Sequence, residues 1–262
     1  MNLSDDMLLA HRLAEVAGKT ALWYFCGNPR RRFKADGSVV TEADLAVERA
    51  LVEILAAERP GDAVLAEESG CSATVSERCW IIDPIDGTDA FLAGKQSWGP
   101  HVALSISGTL EGAVLARPAA GLRWWAQRGR GAYRGRDGED INSHRRLWVS
   151  QTRLLTGAQV SGLVDEGSTA AAAMASKASW RIDRLSPIVA LVEGRIDAVL
   201  DEGGDPWDQA PAVLLTLEAG GSYCDPFGGG RFDVGWGLYS NAYLQHEIMT
   251  LLHHLSPHPS DG

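Results

Sequence analysis

The sequence predicts a mixed α/β chain in two lobes, an N-terminal α+β lobe over residues 1–140 and a C-terminal α/β lobe over 141–262. Three observations lead there. Two segments near the start carry apolar residues at helical spacing. Three short apolar segments then follow, separated by turn residues, as in an antiparallel meander. The second half alternates helix-like with strand-like segments. At 262 residues, with 45% hydrophobic and 22% charged side chains, the chain can bury a sizeable core.

Asp5 to Phe25 places Leu8, Leu9, Leu13, Val16, Ala17 and Ala21 at helical spacing. Asn28 to Ser38, rich in charge with Pro and Gly, breaks the period and reads as a loop, in which Arg30, Arg31 and Arg32 are expected to be solvated. Thr41 stands three residues before Asp44, a helix start of the capping-box type with Asp in place of the preferred Glu; Pro60 and Gly61 stop that helix near Arg59. "AVLAEES" (63–69) and "CWIID" (79–83) read as buried strands, the second stopped by Pro84. "HVALSIS", "EGAVLAR" and "RWWAQ" form the meander. Trp124 and Trp125 alternate across its last strand, so at most one is expected in the core and the other in a dimer contact. Beyond it the pattern predicts a strand at Leu147–Val149, an Ala-rich helix near Ser168–Lys177 and helix, Gly, strand in "PIVALVEGRIDAVLD". A helix from near Asp208, closed by Gly220 and Gly221, and a strand in "GSYCDP" complete the reading. The tail "SPHPSDG" is expected to fray.

The formal net charge of −10 argues against non-specific nucleic-acid binding, which needs clustered Lys and Arg. The four cysteines show no CxxC and no zinc spacing; they read as reduced thiols, although Cys71 and Cys79 are near enough in sequence to pair. The N-terminus lacks a basic region followed by an apolar one, and no apolar run reaches the roughly 18 residues of a membrane span. The expectation is a cytoplasmic protein without a membrane partner. No GxGxxG, Walker or GxSxG pattern is present.

"WIIDPIDGTDAF" (80–91) puts Asp83, Asp86 and Asp89 within seven residues at the end of an apolar run. Asp-Pro and Asp-Gly are ordinary turn formers, which is the plain explanation. Two further sites weigh against it: Glu67 and Glu68 end another apolar strand, and Asp208 opens a helix after Trp207. Clustered carboxylates beside apolar residues are costly unless cations neutralise them, and hard oxygen ligands suit Mg²⁺.

"AEES", "WIIDPIDGT" and "DPWDQA", in this order, closely resemble the signatures of the inositol monophosphatase superfamily, the Mg²⁺-dependent phosphomonoesterases. The resemblance runs from "VTEAD" to "GLYSNAYLQHEIM". It implies a layered α-β-α-β-α sandwich of the inositol monophosphatase and fructose-1,6-bisphosphatase type, assembled as a homodimer. It implies that Glu67, Asp83 and the Ile85 carbonyl hold one Mg²⁺, that Asp83, Asp86 and Asp208 hold a second, and that a third, weaker ion sits near Glu67. It makes Asp44 the partner of Thr88, which with Glu67 would orient and deprotonate water. The Gly87 and Thr88 N–H groups would receive phosphate.

Within the superfamily the N-terminal half and "RWWAQRGRGAY" look most like the bacterial histidinol-phosphatase branch. Departures fall where substrates are read: Asp89-Ala90-Phe91 replaces the usual Arg-Asn-Phe, Asp183-Arg184 the usual Gly-Asp, and Asp201 the usual Glu. Asp89, Arg184 and Asp201 are therefore the candidate substrate contacts, unless Asp89 and Arg184 pair with each other or face solvent. His101 is expected to be a core histidine. The substrates in view are histidinol phosphate and an inositol or cyclitol monophosphate, with a 3′-nucleotide or sugar bisphosphate as the alternative. A non-catalytic protein on the same fold is disfavoured because every motif residue is present.

Overall fold

Ser4 caps the first helix, its hydroxyl accepting the Met7 N–H, and Asp5 and Asp6 meet the positive end of the helix dipole. The computed structural model describes residues 3–34, 37–71 and 76–253, so the tail expected to fray lies outside the described residues. Helix α1 (Asp5–Tyr24) buries Met7, Leu9, Leu13, Ala14, Ala17 and Ala21, while Leu8 stays exposed. The segment expected as a loop instead holds β1 (Arg31–Phe33), paired antiparallel with β2 (Val39–Thr41); the three arginines are exposed, as expected. Helix α2 (Glu42–Glu58) opens on the expected capping box: Thr41 Oγ1 accepts the Ala43 and Asp44 N–H groups, and Asp44 Oδ2 accepts the Thr41 N–H at 2.8 Å.

The first sheet contains β3 (Ala63–Ala66), β4 (Gly70–Cys71), β5 (Arg78–Asp86), and, after the short helix α3 (Thr88–Leu92), β6 (Gly99–Ile106), β7 (Thr109–Arg117), β8 (Leu122–Gln127), β9 (Gly131–Arg136) and β10 (Arg145–Arg146). Its order is β10-β9-β8-β7-β6-β5-β3-β4, antiparallel except for the β3–β5 pair. Pro84 does not end β5. The strand continues to Asp86 through a register shift against β6, between Asp83 and Asp86, where a proline costs no ladder hydrogen bond. Leu147–Val149 is not a strand: its N–H groups go to two different neighbours, Leu147 to Ala132 and Val149 to Ala219, as the chain leaves the sheet.

The second sheet has the order β12-β11-β13-β15-β14, from β11 (Gln159–Leu163), β12 (Ser179–Trp180), β13 (Ala198–Glu202), β14 (Gly221–Cys224) and β15 (Trp236–Asn241). Among these strands lie α4 (Thr169–Lys177), α5 (Pro187–Val192), α6 (Pro206–Glu218) and finally α7 (Gln245–His253). Helices α1 and α2 cover one face of the first sheet; α5 and α6 fill the space between the sheets; α4 and α7 cover the far face of the second. The result is the expected α-β-α-β-α layering.

Layering on both sides overturns the reading of the tryptophans. Trp124 and Trp125 do point to opposite faces, but each face has its own helical cover. Trp124 joins the core shared with α5 and α6, Trp125 the core under α1 and α2, and both are at most 1% exposed. All four cysteines are free, so Cys71 and Cys79 are not bridged. Trp124→Ala and Trp125→Ala should each lower stability by about 3–5 kcal/mol in denaturant unfolding; a loss below about 1 kcal/mol for either would contradict its burial.

Candidate active site

The bulge in β5 aims the carboxylates. Asp83, 2% exposed, accepts the Ile85 N–H on Oδ1 at 2.8 Å, which fixes its rotamer and turns the chain around Pro84. Gly87 then adopts φ +79°, and a Cβ there would lie 2.8 Å from the Ser97 carbonyl oxygen, so both the turn and the close approach call for glycine. Asp208 enters from the first turn of α6, held by the Asp205 N–H at 2.8 Å. One ligand-capable atom each from Asp83, Asp86, Asp208 and His101 lies within 4.8 Å of the others.

Glu67 follows β3, the parallel neighbour of β5, close enough to Asp83 for its charge to raise that carboxyl. Lys34 Nζ bridges Glu67 Oε1 at 2.8 Å and Glu68 Oε1 at 2.9 Å. The Thr88 hydroxyl lies 3.4 Å from Asp44 Oδ1 and 3.2 Å from the Ile85 carbonyl oxygen, so the backbone turn, the threonine and the α2 cap form one connected unit.

The charges are in conflict. Burial, reinforced by Glu67, Asp86 and Asp208, pushes the Asp83 carboxyl well above the ordinary range. Burial and Asp86 carry Asp208 up to about 8 against the Asp205 N–H. Burial takes Asp201 to about 7, although the Gly204 N–H opposes it, and Glu68 to about 7 despite Lys34. Asp86 goes the other way: burial would raise it, but His101 and Arg117 outweigh that and hold it below the usual carboxylate range.

A cavity of about 350 Å³ adjoins this cluster, lined by Asp86, Gly87, Asp201 and Asp208 together with Arg117, Ser161, Asp183, Trp180 and Ile182. Of the candidate substrate residues, Asp201 faces the cavity. Asp89 is exposed and lies outside its lining; Arg184, also exposed, lines an adjoining groove. Asp183 lines both and is ion-paired with Arg195. His101 is buried as expected, yet its Nε2 is 3.3 Å from Asp86 Oδ2, at the edge of the cluster rather than in plain core. Arg117 and Lys34 were not singled out as site residues. An Arg at the end of the apolar segment "EGAVLAR" reads as a strand end meeting solvent, and nothing local says which strand lies beside it.

A model of the inositol monophosphatase family matches residues 5–258. The chain belongs to the inositol monophosphatase family. It is 51% identical to a Streptomyces griseus protein named glucose-1-phosphate thymidylyltransferase, over 90% of this chain and 92% of that one. It is 34% identical to a histidinol-phosphatase of Mycobacterium tuberculosis, over 95% and 98%. Its fold matches the extragenic suppressor protein suhB of Bartonella henselae with a TM-score of 0.85 at 24% identity, over 97% and 100%. The inositol monophosphatase family is metal-dependent, and this member is a phosphoric monoester hydrolase whose acidic cluster could bind a metal ion. No helix among the described residues is long and apolar enough to cross a membrane.

The raised carboxyls set a pH dependence. Groups whose folded pKa lies above the unfolded one stabilise the fold while protonated, and that contribution is lost as pH rises through the folded value. In chelator, therefore, thermal stability should rise as pH is lowered from about 8.5 to about 7, through the values for Asp208, Asp201 and Glu68. Buried His11, depressed to about 3, stays neutral across that window and does not oppose the trend. A melting temperature flat over this range would contradict the conflict among these acids.

Proposed function

We propose that this chain is a Mg²⁺-dependent phosphatase acting on a small polar phosphate ester, with histidinol phosphate or an inositol or cyclitol monophosphate as the leading substrates. The observation that carries the reading is the convergence of Asp83 with Asp86 and Asp208, the last two of which line a cavity of about 350 Å³. The donor set fits the metal: the carboxylates are hard oxygen ligands, and their mutual repulsion is relieved by divalent cations. Glu67, Asp83 and the Ile85 carbonyl would hold one ion, and Asp83, Asp86 and Asp208 another. The Ile85 carbonyl accepts the hydrogen bond of the Thr88 hydroxyl but has a second lone pair for a cation.

Bound ions would supply Lewis-acid stabilisation of the phosphate charge. The protein's own part is positioning and proton transfer. The Thr88 hydroxyl donates its hydrogen bond to Asp44 or to the Ile85 carbonyl, which leaves the Thr88 oxygen lone pairs to accept a hydrogen bond from the attacking water. Glu67 takes a proton from that water as the water oxygen bonds to phosphorus and the ester P–O bond breaks; the alkoxide so released takes a proton from solvent and departs as the alcohol. The Gly87 and Thr88 N–H groups would receive phosphate oxygens; because α3 has only five residues, these donors would matter more than a helix dipole. Asp201 would meet hydroxyl or amine groups of the leaving alcohol.

The histidinol-phosphatase relative supports histidinol phosphate. One observation favours the alternative, a 3′-nucleotide or sugar bisphosphate: Lys95, Arg184 and Arg195 line a groove that shares Ser97, Asp183 and Leu185 with the cavity, where a second anionic group could lie. The name of the Streptomyces griseus relative points to nucleotidyl transfer instead. The family and the acidic cluster support hydrolysis, and the sequence has no Walker pattern.

Phosphate release with Mg²⁺ should be measured on histidinol phosphate, inositol 1-phosphate, fructose 1,6-bisphosphate, 3′-phosphoadenosine 5′-phosphate and an aminocyclitol phosphate. Pyrophosphate release from dTTP with glucose 1-phosphate should be measured in parallel. Turnover of a phosphomonoester, abolished in a folded Asp86→Asn variant, is expected. Wild-type turnover in that variant would sink the metal assignment; pyrophosphate release alone would sink the phosphatase reading. Exchanging Asp89 should leave the substrate profile unchanged, because it is exposed outside the cavity lining, whereas Asp201→Asn should alter it.

A further inference from the structure

Among the cations beside the cluster that the proposed chemistry leaves unused, Arg117 is the buried one. It ends β7, is 2% exposed, and lines the cavity beside the acidic cluster. Its Nη2 donates to Asp86 Oδ2 at 2.7 Å, its only carboxylate contact among the described residues. The rest of the guanidinium is tied down. Nη1 donates to the Ala116 carbonyl at 3.1 Å and lies 3.3 Å from His101 Nε2; Nε donates to the Leu185 carbonyl at 3.4 Å. Two backbone carbonyls and a buried ring therefore hold the fork in one plane, and an arginine does not give up its proton.

We infer that Arg117 is a built-in cation of the metal centre: by occupying Asp86 Oδ2 it weakens the hold of whichever divalent ion Asp86 shares with Asp83 and Asp208. The inference rests on the metal reading above and adds a sign to it. Two effects oppose. Arg117 orders the Asp86 side chain in advance, which favours a ligand there, but the ordering of one short side chain is a small gain. It also sets a permanent positive charge against the same carboxylate in a partly desolvated place, where repulsion of a divalent ion is strong. The charge effect wins, and the ion bound through Asp86 is held at least about tenfold more weakly than the ion bound through Glu67 and Asp83. Lys34 does not impose the same handicap at Glu67, since its side chain is 23% exposed and its ammonium is held only by the two carboxylates of Glu67 and Glu68 at the end of a flexible stem, whereas the side chain of Arg117 is 3% exposed and anchored at three further points.

The test is direct titration of the chelator-treated full chain with Mn²⁺, read by the free Mn²⁺ electron paramagnetic resonance signal and by calorimetry, for wild type, Arg117→Gln, Arg117→Met and Arg117→Lys. In wild type, two sites differing at least about tenfold are expected; equal sites overturn the proposal without any variant. In Arg117→Gln or Arg117→Met, whichever is shown folded by circular dichroism, the weaker site should tighten about tenfold or more. Arg117→Lys, which keeps the charge, should leave it weak. Unchanged or weaker binding in the neutral variants overturns the inference, as does tightening in the lysine variant, which would mean that shape rather than charge sets the affinity. No Mn²⁺ binding by wild type would overturn the metal reading itself, a different failure from two sites indifferent to Arg117.

Discussion

Four carboxylates crowded together at the meeting point of two strands and a helix organise this molecule. Asp83 is buried beside Glu67, Asp86 and Asp208, and burial first, then the charges of these neighbours, drives its carboxyl well above its ordinary range. A chain keeps such a cluster only if its backbone forces the groups together. Here Asp83 and Asp86 come from the two sides of a bulge in one strand, Glu67 from the end of the parallel neighbour, and Asp208 from the start of a helix packed against the same sheet. The layers exist in sequence as separate apolar segments; the cluster exists only where their ends meet.

That geometry explains which parts were readable from residues alone. The capping box of Thr41 and Asp44 lies within four residues, so its chemistry is local and the expected hydrogen bonds are present. Helices with one apolar stripe and the meander were legible for the same reason. Trp124 and Trp125 were not: strand alternation gives their directions correctly, but whether the second face is covered depends on α1 and α2, which lie more than sixty residues away in the chain. Pro84 misled in a related way. A proline ends a regular ladder, yet an irregular one can pass through it, and the irregularity is what places Asp83 and Asp86 on the same site.

The substrate side was less legible because charge in sequence is not charge in the cavity. Asp89 and Arg184 were the conspicuous departures, but the turn after Gly87 leaves Asp89 exposed, and Arg184 lies on the adjoining groove. Asp183, its neighbour, turns back to accept the Leu185 and Ser186 N–H groups just ahead of α5, which Ser186 caps, and to meet Arg195. Arg117 had the opposite fate. At the end of an apolar segment it looks like a solvent cap, and pairing of β6 between β5 and β7 is what brings it to Asp86.

The two cations beside the cluster differ in a way their charges do not reveal. Lys34 reaches Glu67 and Glu68 from the β1–β2 hairpin through a flexible stem, and an ammonium can withdraw when a divalent ion arrives. Arg117 is pinned by carbonyls of Ala116 and Leu185, one from its own strand and one from the segment leading into α5. Moving it would strip hydrogen bonds from a buried guanidinium and leave the Leu185 and Ala116 oxygens with one partner fewer, a cost that a ligand at Asp86 must meet. One side of the centre is therefore neutralised by an ammonium on a flexible stem, and the other by a guanidinium anchored to backbone carbonyls. That asymmetry follows from where each side chain is anchored, and it makes the two halves of an otherwise similar set of carboxylates chemically unequal.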